Sequence, residues 1–309
     1  MTARIFLCLV LLPLFAQAAG AAVLEAGAGK PFKMPSAAIA KAKDGDTVRV
    51  AAGVYEDCAI IKQNNLTLEG AGDVTMRAKV CEGKAILVVK GSGVTIRGLK
   101  LSDARSETAN GAGIRAEGAG LLVDNTQFED NENGILGAND PQVSIKVVNS
   151  VFVGNGACRP VCAHGIYAGH SASLRVEKSK FFRQNEGHHI KSRALVTEIV
   201  DCRISDGPFG TASVLIDIPN GGTVLIEGNE LVKGPMASNK ANSIMISAEG
   251  ETNPPGPIVI RNNHFGNLSH RGTSFVHNFG SNPAQLIDNV VGSDVTALIG
   301  AGTIKGDSD

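Results

Sequence analysis

The chain has 309 residues, with 29 lysines and arginines against 30 aspartates and glutamates, for a formal net charge of -1. Such a balance leaves no basic footprint for nucleic acid. Tryptophan is absent, aromatic residues make up 4%, and there are 37 glycines, which argues against a helical globule and for short strands joined by tight turns.

Residues 1–18 read as a secretory signal peptide. Arg4 gives a positive start, Ile5 to Phe15 is an apolar run broken by Pro13, and Ala16-Gln17-Ala18 supplies small residues for cleavage. The run is too short to stay in a bilayer as a helix. Cys8 lies inside it and is expected to leave with the signal. The mature protein is therefore expected in the periplasm or outside the cell, as a monomer without membrane contact. Residues 19–300 are read as one solenoid domain and residues 301–309 as a polar tail.

Pro35-Ser36 followed by Ala37, Ala38, Ile39, Ala40 and Ala42 predicts one short helix with Ser36 as its N-cap. It stands before Thr47-Val48-Arg49-Val50, where a solenoid needs a cap over its first sheet edge. Glu56 to Leu68 begins the first coils. Cys58 and Cys81 are separated by about one coil, so stacking would bring them to bonding distance. Cys158-Arg159-Pro160-Val161-Cys162 allows a second disulfide, with zinc as the competing reading of that spacing.

From Val123 onward one phrase recurs. It reads Val123-Asp124-Asn125-Thr126-Gln127-Phe128, then Val148-Asn149-Ser150-Val151-Phe152, then Val176-Glu177-Lys178-Ser179-Lys180-Phe181. Later copies end at Ile204, Leu231, Phe265 and Val291. Alternation of apolar and polar residues around a central bend marks two strands with one buried face, and the period is that of a solenoid coil. Stacked coils place equivalent residues about 4.8 Å apart. Phe128, Phe152, Phe181, Ile204, Leu231, Phe265 and Val291 should form a buried stack. Thr126, Ser150, Ser179, Cys202, Asn229, Asn263 and Asn289 should form a polar ladder at the bend. Cys202 is then a structural thiol replacing a serine. The predicted fold class is all-β, a single right-handed parallel β-helix with a short N-terminal capping helix.

A second phrase precedes the first in each coil: Gly113-Ile114-Arg115, Gly134-Ile135-Leu136, Gly165-Ile166-Tyr167, His189-Ile190-Lys191, Leu215-Ile216-Asp217, Met245-Ile246-Ser247 and Phe275-Val276-His277. Its middle residue is aliphatic, so it points inward and its neighbours should point out. The outer face then gathers Tyr167, His189, Lys191, Arg193, Asp217, Glu249 and His277, with Arg115 further along. His164 and His188 take equivalent places at strand entries, where a structural role is expected.

Asp44-Gly45-Asp46-Thr47-Val48 with Gly53-Val54-Tyr55 resembles the opening of many bacterial right-handed β-helix proteins. Asn110-Gly111-Ala112-Gly113-Ile114-Arg115, Gly187-His188-His189-Ile190-Lys191-Ser192-Arg193-Ala194, Ile216-Asp217-Ile218-Pro219-Asn220-Gly221-Gly222 and Ala248-Glu249-Gly250 resemble a group of exported proteobacterial β-helix proteins. The resemblance spans nearly all of the mature chain and implies the pectin lyase-like superfamily of polysaccharide lyases, epimerases and hydrolases. The calcium-binding aspartates of pectate lyases are not matched, and the Asp-Pro-His-Asp string of mannuronan epimerases is absent.

This resemblance implies an acidic polysaccharide as partner and a site on one sheet face. β-Elimination or C5 epimerisation needs a cation for the sugar carboxylate, a base and an acid. Arg193 suits the first role. Lys191 or His189 is the expected base and Tyr167 the acid, with Asp217 beside Lys191. Arg115, Glu249 and His277 are expected to bind substrate. A glycoside hydrolase using Asp217 and Glu249 is the alternative enzyme, and a non-catalytic glycan-binding protein the alternative class. No cofactor is expected, with calcium left open.

Overall fold

Each repeated phrase becomes two short strands joined at a bend. In one coil, strand Ser173–Glu177 runs to Lys178 and strand Lys180–Phe182 follows. Such strands stack in parallel on the coils before and after, forming a twenty-stranded sheet. A further strand in each coil, such as Ile190–Ser192, builds a separate ten-stranded parallel sheet. The computed structural model describes residues 20–306. The expected signal peptide and Cys8 lie outside the described residues. The described chain is a single β-solenoid, as the repeats predict.

The bends follow from local chemistry. Asn125, Asn149, Asp201, Asn262 and Asp288 stand at the bend with φ of 44°, 50°, 53°, 55° and 51°, a left-handed conformation that asparagine and aspartate tolerate better than most residues. Past the bend, the predicted stack pairs in register from Phe128 through Phe152, Phe181, Ile204, Leu231 and Phe265 to Val291. The rings of Phe128, Phe152 and Phe181 lie nearly parallel, each 4.5 Å from the next. The polar ladder forms too. Backbone N–H groups of Thr126, Ser150, Cys202, Asn229 and Asn263 each donate to the side chain on the following coil. Asn229, Asn263 and Asn289 also link side chain to side chain at 2.8 Å.

Two expectations at the ends need correction. The helix spans Pro35–Ile39, but Met34 is its N-cap and makes no side-chain cap bond; Ser36 is already helical. Pro35 fills the first turn, where a missing N–H costs nothing, and the Ser36 N–H is satisfied by Asp57 Oδ2 at 2.8 Å. At the other end, strand Gly302–Lys305 pairs in parallel with Ala284–Ile287. The sheet therefore continues into the stretch expected to be a polar tail.

Both expected disulfides are present, Cys58–Cys81 with Cα atoms 5.5 Å apart and Cys158–Cys162 at 3.9 Å. The zinc reading of the second pair is thereby overturned. Cys202 is free and buried in the ladder, and burial pushes its thiol up to about 12. A thiol so sealed and so rarely ionised should react with iodoacetamide only after unfolding. Intact-mass measurement should find no adduct on the native protein and one on the denatured, unreduced protein. An adduct formed under native conditions would mean that the ladder opens at Cys202.

Candidate functional site

The ten-stranded sheet carries the column of outward residues. Cα pairing runs Arg115, Leu136, Tyr167, Lys191, Asp217, Met245, His277. The expected order holds as far as Asp217, where Met245 takes the place assigned to Ser247. Strand Asn242–Ile246 buries both Ile244 and Ile246, and Ile244 is the one that aligns with Ile216. A slip of two residues keeps the same face inward, so alternation cannot reveal it. Ser247 instead turns the chain with φ 59°, and Glu249 lies beyond the strand on that turn.

Glu249 nevertheless reaches back across the face. Lys191 Nζ donates to Glu249 Oε1 at 2.7 Å and lies 3.0 Å from Asp217 Oδ2. Arg193 uses its whole guanidinium: Nε donates to the Tyr167 hydroxyl at 2.9 Å, Nη1 to Asn220 Oδ1 at 2.5 Å and Nη2 to Glu249 Oε2 at 2.5 Å. Tyr167, Lys191, Arg193, Asp217 and Glu249 are thus one network, with Asn220 a member that the repeats did not single out. Asn253 supports it from below, donating to the Arg193 carbonyl at 3.3 Å and the Ala194 carbonyl at 3.0 Å.

Charge in this network is set by mutual pairing. Burial disfavours the Lys191 ammonium, yet Asp217 and Glu249 together hold its pKa above the usual lysine value. Burial also opposes ionisation of Glu249, but hydrogen bonds from Lys191 and Arg193 bring it down to about 2. Asp217 is different: burial dominates and raises its pKa despite Lys191. Its side chain is only 5% exposed, and Oδ1 has no hydrogen-bond partner. Asp217 was expected on the open face; it lies beneath the neighbouring side chains instead.

His189 is a further correction. It does not face outward: its ring is buried, 2.9 Å from Asp206 Oδ1 and edge-on to Phe181. It stands where the chain enters the strand, and that column points inward in every coil. Leu215 and Phe275 in equivalent places are fully buried. A Cβ on Gly113 would meet the Phe128 ring at 2.8 Å, and one on Gly134 would meet Phe152 at 2.7 Å. The glycines mark a lack of space against the phenylalanine stack, a signal that was legible in the repeat. Asp206 also takes the Gly234 N–H, and the fully buried Lys233 donates to the Ser213 carbonyl, so His189 belongs to an interior polar cluster.

Arg115 and His277 flank the network without joining it. Arg115 lies 3.3 Å from Glu117, and His277 pairs with Asn242 and stacks on Phe279. His164 and His188 do take the structural places expected of them. Their rings stack at 4.9 Å, His164 Nδ1 accepts the His188 N–H, and His188 Nδ1 accepts the Val214 N–H.

His188 Nε2 comes within 3.4 Å of Asp217 Oδ2. This contact is not an ion pair, because burial and then the Lys191 charge push the His188 pKa from 6.5 down to about 3. Between those two values the unfolded chain binds a proton that the folded one refuses, so stability falls as pH drops through the window. His188→Gln should flatten the fall of melting temperature between pH 6.5 and pH 4. An unchanged slope would assign acid sensitivity to other groups.

Among the described residues, no three or more His, Cys, Asp or Glu side chains are placed to hold a metal ion. None of the described helices is long and apolar enough to cross a membrane.

Comparison with known proteins bears on the fold. No curated protein matches the sequence. Among solved structures, the chain is similar to an alginate lyase from Paenibacillus sp. str. FPU-7, with TM-score 0.54 and 15% identity over 93% of this chain and 98% of that one. It is similar to pectate lyase Pel9A, with TM-score 0.54 and 14% identity over 90% and 79% of the two chains. It is also similar to the pectin methylesterase from Aspergillus niger, with TM-score 0.51 and 14% identity over 92% and 91%. At such identities the likeness is one of fold. Residues 144–303 match the family model described as the right handed beta helix region, and with parallel coils stacked along the described chain, this protein belongs to that family.

Proposed function

We propose that this is an exported, carbohydrate-active protein that binds an acidic polysaccharide along the ten-stranded sheet and acts on it by β-elimination or C5 epimerisation. The carrying observation is the convergence of Lys191, Arg193 and the Tyr167 hydroxyl on one face. Alginate and pectate, named for two of the similar structures, present carboxylates along a sugar chain, and pectin does so where its methyl esters have been removed.

In this reading Arg193 receives the sugar carboxylate, so that the adjacent carbon becomes acidic. Lys191 was expected as a base, but two carboxylates hold it as an ammonium. We therefore assign it the acid role, one N–H protonating the departing oxygen while another meets the sugar carboxylate beside Arg193. His189, turned into the interior, is dropped. Tyr167, expected as the acid and within 2.9 Å of Arg193 Nε, is left as the base that takes the proton from that carbon, while Lys191 supplies the proton the departing oxygen gains.

One observation favours a hydrolase as second reading. The environment raises Asp217 and lowers Glu249 to about 2, the kind of split that separates an acid from a base. Against it, Asp217 is sealed under its neighbours. Product analysis on pectate, pectin and alginate separates the readings. Unsaturated-uronate absorbance supports elimination, and solvent deuterium at C5 without cleavage supports epimerisation. New reducing ends without that absorbance support hydrolysis. Binding without any product would sink the enzyme reading.

A further inference from the structure

Lys191 and Arg193 are each held twice over. Without Glu249, Lys191 keeps Asp217 at 3.0 Å, while Arg193 keeps Tyr167 and Asn220. These partners all lie on the sheet or immediately after its strands, so both cations stay aimed at the same space. Glu249 is the exception among the partners. Its side chain is 46% exposed, against 11% for Lys191 and 15% for Arg193. It covers the two cations from the solvent side and spans them with one oxygen each. Its backbone is anchored separately, through its N–H to the Pro219 carbonyl at 2.9 Å. Rotation about its side-chain bonds is therefore enough to uncover both cations, with no movement of the chain.

We infer that Lys191 and Arg193 form a carboxylate-binding site that the free protein fills with its own Glu249, and that the carboxylate of a uronic acid unit displaces Glu249 on binding. This rests on the acidic-polysaccharide reading and deepens it by naming what the site recognises. The chemistry is that of a planar guanidinium beside an ammonium, which suits one carboxylate and gives nothing to a neutral sugar at the same spot. A tethered Glu249 competes at high effective concentration, so it weakens binding of any ligand without a well-matched carboxylate. With Glu249 swung out, Lys191 and Arg193 face a single carboxylate, Asp217, and the exposed face gains positive charge.

The test is calorimetric titration of trigalacturonate and trimannuronate into wild type, Glu249→Gln and Glu249→Ala, each checked for an unchanged melting curve. Both variants should bind at least one probe about tenfold or more tighter than wild type. Adding Arg193→Ala to either should abolish the gain. Equal or weaker binding by both variants, with wild type still binding, would overturn the displacement and leave Glu249 as a brace or sugar contact, the acidic-polysaccharide reading standing. If neither wild type nor variants bind either probe, both readings fall.

Discussion

Arg193→Ala is expected to cut turnover of an acidic polysaccharide by a factor of about a hundred or more, the usual loss when a group that stabilises developing charge is removed. Arg193 joins Tyr167, Asn220 and Glu249, so alanine removes the carboxylate receptor and also releases Tyr167 and Glu249 from their positions. Arg193→Lys should recover only part of the loss, because a point charge cannot hold three partners in one plane. Lys191→Ala should be comparably severe for turnover. It should also destabilise the fold, since Asp217 would lose its 3.0 Å cation while remaining buried. Steady-state kinetics on folded variants checks this, with Lys146→Ala on the other sheet as the control. Lys146 is half exposed and pairs with Glu177 on the twenty-stranded sheet, outside the network, and should keep full activity. Wild-type turnover in both Arg193→Ala and Lys191→Ala would remove the proposed mechanism and leave a binding protein.

Phe152→Ala is expected to cost about 3–5 kcal/mol of stability, as for other fully buried aromatics. The Phe152 ring lies between Phe128 and Phe181, 4.5 Å from each, and is 1% exposed. Its loss opens a cavity in mid-stack. Because each coil of a solenoid contacts only its neighbours, a defect there weakens the coupling between the two halves. Urea unfolding should show a much lower midpoint, and separate transitions for the halves if the coupling is lost. A loss below about 1 kcal/mol would mean that the stack collapses around the gap and carries little of the stability.

The same local rules explain how far the residues could be read in advance. Alternation, bend residues and a constant period are properties of neighbouring positions, and they predicted the phenylalanine stack, the ladder through Cys202 and the Cys58–Cys81 bond. They also aligned Tyr167, Lys191 and Asp217 correctly, because an aliphatic residue inside each strand sets which side faces out. Asn131, Asn155 and Gln184, each three residues past a stacked phenylalanine, are all buried, so a further polar column was present in the repeat but not drawn from it.

What this sequence by itself determined is therefore the coil, its buried face and the outward order of the first part of the column. Only the tertiary structure decided the rest of the site. Glu249 was expected on the face with Lys191 and Arg193, but it reaches them from a turn beyond the strand, because the strand slips by two residues and Ser247 turns the chain, and neither event changes the alternation. His189 points inward because its column faces the interior in every coil, and there its ring meets Asp206. Asp217 is outward in direction but sealed by the side chains around it, which raises its pKa. Direction along a strand is a local property. Burial and partnership depend on side chains brought together from different coils, and that meeting is settled by the packing of the whole.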